Sequence, residues 1–113
     1  MSRKVYGYKR PYSWILERGE ELGIRPDADP EDAFVEMLHT SARVLCRLAV
    51  DAGLPRTGIC SIFVQRPDYF VWAIASTDSE DKLPARPTNI KMKEKFKEMM
   101  GASEDAGWWW AIY

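Results

Sequence analysis

The chain has 113 residues, 46% of them hydrophobic and 29% charged, with a net charge of -1. This length suits one domain with one core, and the composition excludes a disordered or fibrous chain. Near-neutrality argues against duplex DNA as the main partner, because phosphate binding needs a concentrated positive face.

No apolar run is long enough to span a bilayer. The basic first residues lead into Tyr6-Gly7-Tyr8-Lys9 rather than an apolar leader core. The expectation is a cytoplasmic protein with no membrane partner, in which Cys46 and Cys60 are free thiols. Charge is uneven along the chain. Residues 1–13 carry Arg3, Lys4, Lys9 and Arg10 and no acid, whereas residues 17–36 carry eight acids against Arg18 and Arg25.

Residues 1–11 read as a basic, aromatic arm of a single domain spanning 1–113, and Lys4 to Tyr8 has the pattern of an added edge strand. A first helix is expected over Ser13 to Leu22, with Ser13 as cap and Gly23 as stop. Gly19 inside it costs about 1 kcal/mol relative to alanine, so Trp14, Ile15 and Leu22 must anchor the helix by packing. A second helix is expected to be capped by Asp29, with Pro30 in its first turn and Gly53 at its end. Its apolar line runs through Phe34, Met37, Leu38, Ala42, Leu45, Leu48 and Ala49 at helical spacing.

The period then changes. Ile59–Arg66 and Tyr69–Ser76 are rich in β-branched and aromatic residues and read as strands, with a turn of three to five residues around Pro67-Asp68. Residues 77–87 are a loop. Asn89–Met100 is a third helix, stopped by Gly101, and a final strand carries Trp108, Trp109 and Trp110. The fold class is α+β: three helices on a small, mostly antiparallel sheet of three or four strands, in the order α-α-β-β-α-β. A right-handed crossover makes the last strand run parallel to Tyr69–Ser76; it is expected beside Ile59–Arg66.

The groups that carry chemistry are scattered. His39 and Cys46 are seven apart on one helix, about 10 Å along its axis, and no Cys-x-x-Cys or His-x-x-x-His pattern exists. No glycine-rich phosphate loop occurs. The acids before the second helix fit its dipole. Neither a metal nor a cofactor is expected, and no catalytic residue is assigned. Lysines 91, 93, 95 and 97 spread around the third helix among Glu94 and Glu98, as on a solvated surface. Tyr6, Tyr8 and Tyr12 among the basic residues are better suited to stacking and phosphate contact, and nucleic acid is not the expected partner.

Two features stand out. Four of the seven prolines follow arginine, at Arg10-Pro11, Arg25-Pro26, Arg66-Pro67 and Arg86-Pro87. Each arginine stands at a stiffened corner; convergence of two would hold an anion, and independent turns are the simpler reading. The second feature is the last strand, where Trp108 and Trp110 point one way and Trp109 and Tyr113 the other. Helices cover one face of the sheet. The other needs its own chain, a second copy or a ligand.

Two functions follow. The first is a binding module acting through its aromatic sheet face or edge, by self-association as a homodimer or by docking a partner protein, with Trp72, Trp108, Trp109, Trp110 and Tyr113 as contact residues. The alternative is a small metal-free enzyme or ligand carrier, with an aromatic pocket and with Arg66 and Arg86 orienting a small anionic ligand.

Overall fold

The computed structural model describes residues 3–87 and 89–112. Its elements are β1 (Lys4–Pro11), α1 (Tyr12–Glu21), α2 (Ala33–Ala52), β2 (Cys60–Gln65), β3 (Tyr69–Ser76), α3 (Ile90–Met99) and β4 (Gly107–Trp110). The α+β class is as expected: three helices and one antiparallel sheet of four strands, in the order β2-β3-β1-β4.

The strand positions correct the sequence reading. The N-terminal residues are neither an arm nor an edge, because β1 pairs antiparallel with β3 on one side and β4 on the other. The last strand therefore lies beside β1, not beside the first strand of the β2–β3 hairpin. The reason is the two-sided pattern of β1. Val5, wholly buried, lies on one face, and Tyr8, nearly so, on the other, as an interior strand requires. Gly7 makes the close approach possible: a Cβ there would stand 1.9 Å from the Trp72 carbonyl oxygen. The direction of β4 is as the crossover argument requires, since two antiparallel pairings leave it parallel to β3.

The helix starts also differ from expectation. Ser13 does not cap α1. The Tyr12 N–H donates instead to the Asp68 carbonyl at 2.8 Å, so the β2–β3 turn serves as the cap. Asp32, not Asp29, caps α2 and accepts from Phe34 N and Val35 N. Asn89 caps α3 through Met92 N at 3.2 Å. Gly19 is placed where α1 crosses its neighbour: a Cβ there would lie 2.9 Å from the Ile24 carbonyl oxygen and 3.0 Å from Val44. Its helical cost is thus exchanged for close packing.

The turn after β2 has three residues, Arg66 to Asp68, since Gln65 pairs with Tyr69. This settles the facing that the sequence leaves open. Phe70, Trp72 and Ile74 join the helix-side core with Ile15, Val44, Leu45 and Phe96, whereas Val71 and Ala73 face the other way. The buried line of α2 includes Ser41 and Val44, and Ala42 is exposed. Ser41 is tolerated in the core because its hydroxyl accepts from the Trp72 indole N–H at 3.1 Å and is bonded to the Ser61 hydroxyl.

The second face of the sheet is covered by the chain itself. Val5, Ile62, Val71 and Ala73 form a small core closed by Leu83 from the loop after β3 and by Ala111 after β4, with Trp109 packed against it. One end is tied by Asp81, which accepts from the Ser76 hydroxyl and pairs with Arg3 at 2.9 Å. At the other end the Lys9 ammonium lies 4.9 Å from the Trp109 ring and 5.1 Å from the Tyr69 ring, and donates to Gln65 at 2.8 Å. The Ile112 N–H donates to the Phe63 carbonyl at 3.2 Å. The segment after β4 thus reaches across to β2, the opposite edge strand.

Candidate functional site

Alternation along β4 divides the three tryptophans. Trp109 points to the second face and is partly covered there, its indole N–H donating to the Gly7 carbonyl. Trp108 and Trp110 point to the helix side but lie beyond the helices, 42% and 59% exposed. Trp108 leans on Tyr6 with ring centroids 5.3 Å apart, and Trp110 carries the Lys4 ammonium 4.6 Å from its ring centre. The Tyr6 ring in turn carries the Lys93 ammonium at 5.8 Å. Ile90, at the start of α3, is 72% exposed.

The backbone of this strand is equally accessible. Lys4 bonds on its β3 side to Thr77, and the Ala111 N–H donates to the Arg3 carbonyl. Antiparallel alternation then turns the polar groups of Trp109 toward β1 and those of Trp108 and Trp110 outward. Among the described residues these outward groups have no backbone partner. The result is a short open edge flanked by two large exposed rings.

Next to this edge lies a cleft of about 240 Å³ between α3 and β1. Buried Ile74 and Phe96 contribute its apolar wall, and Tyr6, Ile90, Lys93, Glu94, Lys97 and Asp105 line the rest. Lys97 and Asp105 are paired at 3.1 Å. Lys4 and Lys93 form no ion pair among the described residues.

The other sequence candidates are dispersed. Trp72 is 1% exposed and belongs to the core, edge-on to Trp14 at 5.3 Å. Arg66 lines a separate groove of about 560 Å³ with Phe34, Met37 and Phe63. Arg86 is exposed in the loop after β3, and no ion pair among the described residues involves either arginine. Arg10 pairs with Glu104 at 3.5 Å and lies against Tyr8 and Trp14. Tyr113 lies outside the described residues. His39 is exposed on α2, and no group of His, Cys, Asp or Glu among the described residues could hold a metal ion. No helix among them is long and apolar enough to cross a membrane.

Sequence reasoning missed Lys4 and Tyr6 as neighbours of the tryptophans, and Ile90 and Lys93 as neighbours of Tyr6. The signal was the Lys4-x-Tyr6 alternation, which matches Trp108-x-Trp110 once β1 and β4 are paired, and that pairing is not local. A comparison of the chain with protein-family models, curated proteins and solved structures finds no match.

Proposed function

We propose that the chain is a binding module that docks a partner protein through β4, by strand addition at its open edge. The carrying observation is the pair Trp108 and Trp110, exposed on the same strand whose outward backbone groups have no backbone partner among the described residues. Strand addition uses main-chain hydrogen bonds for affinity and alternate side chains for selectivity. Exposed indoles beside such an edge supply the apolar contact area that anchors interfaces. A double W108S/W110S substitution is expected to abolish partner binding while leaving the near-ultraviolet circular dichroism of the Trp14–Trp72 pair intact. Binding that survives the double substitution would refute the reading.

A second reading, a carrier for a small anionic organic molecule, is favoured by the cleft beside Tyr6. There Lys93 rather than Arg66 or Arg86 would face the anion. Thermal-shift screening against aromatic and aliphatic carboxylic acids tests it, and no response across such a panel would count against it.

A further inference from the structure

Two ammonium groups flank the open edge of β4. Lys4 lies over Trp110, and Lys93 over Tyr6, and neither is in an ion pair among the described residues. Lys97 lines the same cleft as Lys93 with Asp105 already bound to it, and Glu94 is the other acid of the cleft. A cation on an aromatic face keeps most of its charge available to a second, negative neighbour.

We propose that the segment received by β4 is an extended, acidic strand of another protein, with an apolar residue between two carboxylates on the face it shares with Trp108 and Trp110. This rests on the docking reading given above. The outward N–H and C=O groups of Trp108 and Trp110, two residues apart, match an extended backbone and nothing more compact. A residue paired opposite this edge and pointing to the helix side falls on the indole shelf. Behind that shelf the row Trp110–Lys4 and the row Trp108–Tyr6–Lys93 each end in an ammonium group. Charge decides between the two kinds of strand that could pair here. A second copy, related by a twofold axis at β4, would place Trp110 against the other copy's Trp108. Each row of rings would then run from one copy's Lys4 to the other copy's Lys93, with a cation at both ends. An acidic strand makes the same backbone bonds and adds opposite charges.

Fluorescence anisotropy with three labelled peptides tests this on the unmodified protein. The probes are Thr-Glu-Thr-Val-Thr-Glu-Thr, its glutamine counterpart and its lysine counterpart. The acidic peptide is expected to bind about tenfold more tightly than the lysine one, with the glutamine one between, as two exposed ion pairs allow. The difference should shrink at high salt, and a K4E/K93E protein should prefer the lysine peptide. Equal binding of all three, abolished by W108S/W110S, would overturn the acidic partner and keep the docking edge. No peptide binding together with a concentration-dependent dimer sensitive to W108S would overturn it in favour of self-association. No peptide binding by a monomer would remove both the inference and the reading on which it rests.

Discussion

The indole N–H of Trp109 donates to the carbonyl of Gly7 at 3.1 Å, and the two residues lie on strands at opposite ends of the sequence. The bond fixes the ring over a part of the second sheet face where neither Gly7 nor Gly107 projects a side chain. The same absence of a Cβ lets β1 close on β3. A G7A substitution would bring a methyl group within 1.9 Å of the Trp72 carbonyl oxygen, a backbone atom that cannot turn aside. The expected cost is about 3 kcal/mol or more, at the upper end for overpacking. Urea denaturation checks it, and a loss below about 1 kcal/mol would contradict the close approach.

Ser41 is the polar residue on which the Trp72 indole depends. Replacing it with alanine leaves the indole N–H and the Ser61 hydroxyl short of a partner. S41A is expected to lose about 1–3 kcal/mol, the range for a buried donor left unsatisfied. A chemical melt measures this, and the near-ultraviolet signal of Trp72 should change with it.

The exposed indoles should behave in the opposite way. W108S and W110S are each expected to change stability by about 0.5 kcal/mol or less, as for surface positions. Each should also remove a large part of the acrylamide-quenchable fluorescence. W72F should leave the quenchable fraction nearly intact.

Glu36 supplies a pH-dependent term. A hydrogen bond from the Asp27 backbone N–H holds its carboxyl below the ordinary value of 4.5, helped by the Thr40 hydroxyl and Arg43. A depressed folded-state value means that the contribution is fully present above 4.5 and is lost as pH falls through the lower folded value. The stability difference between the wild type and E36Q should be constant near neutrality and vanish on acidification below 4.5. Thermal melts across that range test the sign.

Cys60 should be a sluggish thiol. Burial pushes its value above the ordinary 9.0, with the negative charge of Asp81 adding to the effect. In a C46S protein, alkylation of Cys60 at pH 8 is expected to be slower than that of an exposed cysteine, and its rate should still be rising beyond pH 9.

The class of fold was legible because its signals are local. Period, capping residues and glycine stops mark each helix to within a few residues, and β-branched runs mark β2 and β3. At the start of α1 and on the core line of α2, where the reading went wrong, a distant group had done a local residue's task. The Asp68 carbonyl serves α1 in place of a Ser13 cap, and Trp72 with Ser61 makes Ser41 a core residue. The central place of β1 was hidden for the same reason. Lys4 to Pro11 looks like a polar arm until Tyr69–Ser76 and Gly107–Trp110 stand on either side. The alternation of Trp108, Trp109 and Trp110 was readable from sequence, but the lysines and the tyrosine beside them come from β1 and α3.

The placement of β1 between β3 and β4 has a consequence for synthesis. A chain made from its N-terminus produces β1 first, yet gives it no strand to pair with until residues 69–76 have left the ribosome. Its other side stays open until residues 107–110 follow. Through that interval Val5, Tyr6 and Tyr8 lack the strands they pack against in the fold. The basic residues around them, Arg3, Lys4, Lys9 and Arg10, keep such a segment hydrated and set it apart from its own kind.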